Sequence, residues 1–198
     1  MTPPRFVKPT RRTFLRLLVL LAPAPFMLAP GRRALAATPP CDDGDDVTPR
    51  QTTGPFYTPD SPRRASLREP GIAGTPIVVS GSVLTTDCRP VAGALVDFWH
   101  ADDRGVYDNA GYKLRGHQFT DAQGRYTLKS IVPGLYGGRT RHFHVKVQAS
   151  HRRVLTTQLY FPGEPRNARD GLFDPRLLMA VEEAGGGKTA AFDFVLPA

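Results

Sequence analysis

The sequence predicts an all-β fold, an antiparallel β-sandwich with long loops and little helix. Six β-branched or alternating runs follow one another from Gln51 onward: Pro76 to Thr86, Gly93 to His100, Gly124 to Ile131, His142 to Ala149, Val154 to Phe161 and Ala190 to Leu196. Between them stand Asp87-Cys88-Arg89-Pro90, Asp121-Ala122-Gln123-Gly124, Pro133-Gly134 and Pro162-Gly163-Glu164-Pro165, all of which are turn chemistry. No segment carries a helical period beyond two turns, the best being Pro175 to Ala184.

The 198 residues divide into a leader at 1–36, a linker at 37–50 and one domain at 51–198. The leader has a charged start around Thr10-Arg11-Arg12-Thr13-Phe14-Leu15-Arg16 and a short apolar run from Leu17 to Leu28, followed by Ala34-Leu35-Ala36. That order describes a cleaved export signal. The run is too short, and too broken by Pro23, Pro25 and Pro30, to remain in a bilayer. Adjacent arginines with Phe-Leu behind them look like the twin-arginine signal, which moves folded proteins; a conventional secretory signal that happens to hold two arginines is the alternative. The expected location is therefore periplasmic or secreted.

A formal charge of +8 would suit an anionic partner such as nucleic acid, but its distribution argues against one. Seven of those charges belong to Arg5, Lys8, Arg11, Arg12, Arg16, Arg32 and Arg33, and about one remains for the rest of the chain. The linker, rich in Pro and Asp, reads as solvated. It holds Cys41, and the domain holds Cys88. Two cysteines in an exported chain are compatible with one disulfide. A cysteine-ligated metal is the weaker alternative, because neither has a Cys or His at ligand spacing.

Chemistry concentrates in Pro133-Gly134-Leu135-Tyr136-Gly137-Gly138-Arg139-Thr140-Arg141-His142-Phe143-His144. On a strand His142 and His144 share one face, while Phe143, Val145 and Val147 take the other. Two imidazoles on one face are half of a metal site. Tyr136 and Arg139 lie in a Gly-rich turn able to fold back over that face. A second phenol, Tyr107, follows Gly105 in the long segment Ala101 to Phe119, which reads as a functional loop. Tyr112 is its rival if the loop register differs. Tyr126 and Tyr160 read as core or rim aromatics, and His100, His117 and His151 as structural or solvated. Gly185-Gly186-Gly187-Lys188 reads as a flexible loop without chemistry.

Taken alone, Thr120-Asp121-Ala122-Gln123-Gly124-Arg125-Tyr126-Thr127-Leu128 followed by Pro133-Gly134-Leu135-Tyr136 resembles non-enzymatic prealbumin-like sandwich modules. An exported binding module is therefore the alternative function. The ordered blocks say more. Gln51-Thr52-Thr53-Gly54-Pro55-Phe56-Tyr57, Pro90 to His100, Gly105-Val106-Tyr107, Arg115 to Asp121, Pro133 to His144 and Leu155 to Phe161 together resemble the intradiol ring-cleavage dioxygenases. This is the family of catechol and protocatechuate 3,4-dioxygenases. Cys88 and the Trp99-His100 pair look most like its secreted branch.

The resemblance implies Fe(III) held by Tyr107, Tyr136, His142 and His144, with Tyr136 the ligand that a catechol displaces. It implies a catalytic Arg139 stabilising charge on the ring, and Gln158 as a pocket residue. The implied partners are a catechol-type diol and O2, which yield a cis,cis-muconate-type product; no nucleic acid and no lasting membrane insertion are expected. The ligand set makes chemical sense, since a hard, highly charged ferric ion is neutralised better by phenolates than by imidazoles alone. Zinc sites seldom use tyrosine, and a ferrous site would want two histidines and a carboxylate.

Overall fold

The computed structural model describes residues 47–198. The expected signal, the linker as far as residue 46 and Cys41 lie outside the described residues. Two sheets stack face to face. One contains β1 (Pro76–Thr85), β4 (Arg125–Ile131), β7 (Ala180–Ala184), β8 (Gly187–Ala191) and β9 (Phe194–Leu196). The other runs β3 (Arg115–Phe119), β2 (Leu95–Trp99), β5 (His142–Gln148), β6 (Leu155–Tyr160) in spatial order.

Alternation decides which side chains meet between the sheets. On β4, Tyr126, Leu128 and Ser130 are buried while Arg125, Thr127 and Lys129 face solvent. On β5, Phe143, Val145 and Val147 point into the core with Ile77, Val79, Val96, Phe98, Leu128 and Leu159. The predicted sandwich is present with one change of pairing. The second sheet is antiparallel throughout, whereas β1 pairs in parallel with both β8 and β9.

Three local expectations are corrected. The best helical segment, Pro175 to Ala184, contains only a 3-10 turn at Pro175–Leu177 before it becomes strand β7. Gly185 and Gly186, both at positive φ, are the tip of a β7–β8 hairpin, with Gly187 and Lys188 already in strand. The loop from Ala101 ends early, because Arg115–Phe119 pairs with β2 as an edge strand. At the end of the linker, Thr48 is buried and exchanges hydrogen bonds with Val195, so packing begins before Gln51.

The outward face of the second sheet positions the site. Register places Arg115, Trp99, His144 and Gln158 in one cross-strand row, His117, Asp97, Lys146 and Thr156 in the next, and His142 beside Tyr160. A strap from Gln51 to Leu67 covers these polar rows. Its Gln51 N–H donates to the Thr156 carbonyl, and its Arg64 N–H to that of His117. Tyr57 and Ser61 donate to the buried Asp97 carboxylate at 3.3 and 2.7 Å.

Candidate active site

His142 and His144 point to the covered face, as strand alternation requires, and both are buried. The His142 Nδ1–H donates to the Thr140 carbonyl at 2.7 Å, which leaves Nε2 as the lone-pair nitrogen. That Nε2 lies 3.1 Å from His144 Nε2 and 3.3 Å from the Tyr107 hydroxyl. Two expected ligands and the expected loop phenol therefore converge. His144 stacks flat on Trp99, with ring centroids 4.8 Å apart. Gly54 of the strap also abuts this ring, since an added Cβ there would stand 3.2 Å from His144 Cε1. Desolvation lowers the pKa of both rings, His142 to about 4, so they are neutral and available as donors.

Two interlocked turns bring the two phenols together, with Tyr107 at the imidazoles. Gly105 and Gly134 approach so closely that a Cβ on Gly105 would meet the Leu135 carbonyl oxygen at 2.0 Å. The Gly134 N–H donates to Asp102 O at 2.7 Å, tying the loop after β2 to the turn before β5. Tyr107 and Tyr136 consequently meet edge to face, with centroids 5.6 Å apart, and Phe56 of the strap packs on both. Tyr107 is 7% exposed and Tyr136 38%, so one phenol is internal and the other stands at the rim. Burial pushes the Tyr107 phenol up to about 12, against the pull of the Arg139 and Arg115 charges. Tyr112 is not a rival, since its hydroxyl donates to Pro59 O near the surface.

Arg115 is fully buried and holds this loop from behind. Its Nε and Nη2 donate to Asp108 O at 3.1 and 2.7 Å, and its Nη1 donates to Phe56 O at 2.6 Å. One guanidinium thus pins the residue after Tyr107 and the residue stacked on Tyr107.

Arg139 folds back over the site as the Gly-rich turn predicts. Its Nη2 donates to Gln158 Oε1 at 2.6 Å and to the Tyr160 hydroxyl at 3.3 Å. Gln158 in turn donates from Nε2 to Thr52 O and accepts from Tyr160, so its visible engagement is with Arg139 and the strap. Two residues of this wall escaped the sequence reading. Tyr160, expected as a core or rim aromatic, places its hydroxyl in the Arg139 network. Asp170, which pairs with Arg139 Nε, sits in the loop after a 3-10 turn at Pro165–Ala168 and carries no motif.

Of the remaining histidines, His151 is exposed, and His100 and His117 are satisfied away from the convergence. The His100 Nδ1–H donates to Ala101 O and its Nε2 accepts from Ser130 Oγ, while His117 Nδ1 meets Ser61 Oγ at 3.2 Å.

The paired imidazoles fit a metal ion. With His142 Nε2 fixed as a lone pair, a His144 proton on Nδ1 would set two lone pairs against each other at 3.1 Å. A proton on Nε2 would instead leave a lone pair on buried Nδ1, which has no hydrogen-bond partner among the described residues. A cation accepting both Nε2 lone pairs removes the clash between them, with the His144 proton then on Nδ1. The spacing also suits adjacent ligands, since imidazole–metal bonds run about 2.1 Å, as in zinc sites. Among the described residues no three His, Cys, Asp or Glu side chains converge, so the remaining donors here are phenols. Imidazole with phenolate is the set that suits a hard ferric ion.

The sequence profile of a family described as dioxygenase matches residues 52–197. The chain belongs to this dioxygenase family. Among its relatives, catechol 1,2-dioxygenase 2 of Acinetobacter lwoffii is 34% identical over 165 residues, covering 69% of this chain and 60% of that protein. Hydroxyquinol 1,2-dioxygenase of Nocardioides simplex is 32% identical, covering 65% of this chain and 52% of that protein. The chain thus spans about 60% or less of these two curated dioxygenases. Among solved structures, the dioxygenase domain of a dioxygenase carbohydrate-binding protein fusion from Streptomyces sp. SirexAA-E is 59% identical with a TM-score of 0.76. That match covers 77% of this chain and 99% of that domain.

Proposed function

We propose that this chain is a non-haem Fe(III) enzyme that cleaves a catechol-type diol between its two hydroxyl-bearing carbons, using O2, to a cis,cis-muconate-type product. The observation that carries this reading is the meeting of His142 Nε2, His144 Nε2 and the Tyr107 hydroxyl beside a fixed guanidinium. Catechol and hydroxyquinol 1,2-dioxygenase relatives support the reaction class.

His142, His144, Tyr107 and Tyr136 would hold the iron, which when bound supplies Lewis acidity and a template for diol and O2. The protein supplies the rest. Thr140 O keeps the proton on His142 Nδ1 so that Nε2 stays a donor. Phe56 and Arg115 hold Tyr107 in place, whereas Tyr136 at the rim is the phenol free to give way, its oxygen taking a proton from the incoming diol. Arg139 presents a fixed positive charge to the negative charge that develops on the ring. The strap and Trp99 exclude water from the imidazole side.

Export through a twin-arginine-type signal, as a member of the secreted branch, completes the proposal. Cys88 is disulfide-bonded, which suits an oxidising compartment. The test is oxygen uptake by iron-loaded protein with catechol or hydroxyquinol, with the ultraviolet absorbance of a muconate as product. Iron-loaded protein that consumes no oxygen with either diol refutes the reading and promotes the exported binding module.

A further inference from the structure

Asp170 is a carboxylate that ring cleavage does not call for. It is nevertheless among the most buried acids of the domain, 8% exposed, with its side chain at 2%. An acid at that depth is destabilising unless it is paired and hydrogen-bonded. Every partner it has belongs to the wall of the site. Arg139 Nε donates to Oδ1 and Oδ2 at 3.0 and 2.8 Å, the Thr140 N–H to Oδ2 at 2.9 Å, and the Leu172 N–H to Oδ1 at 3.0 Å.

The geometry of a guanidinium gives these contacts a consequence. Its five N–H groups lie in one plane, so two anchors on different edges fix the plane. Asp170 takes the Nε edge and Gln158 Oε1 takes Nη2 at 2.6 Å. Nη1 makes no hydrogen bond among the described residues. The same carboxylate also holds the N–H of Thr140, whose carbonyl fixes the His142 tautomer.

We propose that Asp170 is the positioning residue of this site, setting the Arg139 guanidinium against the reacting ring, while its bond to the Thr140 N–H anchors the turn and is not the route by which it acts on turnover. The proposal rests on the dioxygenase reading given above. A purely structural role has a visible basis too, since Arg166 Nη1 donates to Gly137 O and Thr140 Oγ1 to Asn167 Oδ1, stapling the same loop to the same turn. The experiment must separate the two roles.

Asp170→Asn and Asp170→Ala are prepared beside Arg139→Met and the Arg139→Met/Asp170→Ala double variant. Asp170→Asn keeps the shape and stands in if the alanine variant fails to fold. Positioning predicts that the Asp170 variants retain iron and the wild-type visible spectrum, while kcat with catechol falls about 100-fold and KM moves less than about threefold. In the Arg139→Met background, losing Asp170 costs less than about twofold more, because the two act as one unit. Loss of iron in Asp170→Asn, unchanged kcat in it, or the same factor with and without Arg139 would overturn the proposal. A second readout needs neither iron nor turnover. In metal-free wild type the Arg139 Nε proton exchanges slowly by 15N NMR and speeds up at least about tenfold in Asp170→Asn; equal exchange overturns positioning. If iron-loaded wild type cleaves no diol, the dioxygenase reading falls while the proton measurement still decides whether Asp170 holds Arg139.

Discussion

His142 and His144 turn their Nε2 atoms toward each other at 3.1 Å, and no arrangement of ring protons satisfies both rings from the described residues alone. This arrangement fits a cation better than it fits two structural histidines. It also sets what the surrounding residues must do, namely hold the pair rigid, bring phenols to it and keep water away.

Gly54→Ala tests the rigidity. Gly54 sits at φ +68, where a non-glycine residue costs roughly 1–2 kcal/mol, and the new Cβ would press on His144 at 3.2 Å. Calorimetry should show a lower melting temperature, and dialysis against a chelator faster iron loss than from wild type. Both unchanged would mean that the strap does not bear on the ligand.

Arg115→Met tests the delivery of Tyr107. It leaves two part-buried carbonyls, Asp108 O and Phe56 O, without this donor, at no more than about 1–3 kcal/mol each. Urea titration should show that loss, and iron affinity should fall with it. Arg115→Lys should rescue little, because one ammonium cannot reproduce a fork that spans two carbonyls.

The acid limb of stability has a defined sign. Desolvation depresses His100 from 6.5 to about 4, so its contribution is complete above pH 6.5 and is lost as pH falls toward 4. Asp170 is also depressed: burial opposes its charge, but the Leu172 and Thr140 N–H groups and Arg139 more than offset this. Its contribution is complete above the unfolded value and is lost at lower pH, as pH falls through the folded one. The urea midpoint of the metal-free protein should therefore decline from about pH 6.5 downward. His100→Gln should make that slope shallower without abolishing it, since His142 and His144 are depressed as well. A flat midpoint down to pH 4 would contradict the buried neutral histidines.

The legible parts of the fold were those where alternation is clean. His142-Phe143-His144-Val145 announces its two faces, and Gly105 and Pro133-Gly134 announce turns, while the close approach of those two turns is visible only in the fold. β3 escaped notice because Arg115-Gly116-His117-Gln118-Phe119 places glycine and glutamine on the side facing the other sheet, so no apolar period exists to read. The β7–β8 hairpin was hidden for a related reason. Ala180–Ala184 is largely exposed and has no clean alternation, and the helical period expected over Pro175 to Ala184 is a 3-10 turn running into an edge strand. In the site, imidazoles and phenols were legible by type and spacing. Asp170 and the Tyr160 hydroxyl were not, since they meet Arg139 only through tertiary packing of segments about 20 to 30 residues away.

The most direct test of the central claim is the visible absorption spectrum of purified, iron-loaded protein, with iron quantified on the same sample, for wild type, Tyr107→Phe and Tyr112→Phe. Stoichiometric iron and a phenolate-to-iron charge-transfer band are expected in wild type and Tyr112→Phe, shifting when catechol is added, with the band weakened or lost in Tyr107→Phe. A folded wild type that stays colourless and takes up no iron would contradict that claim.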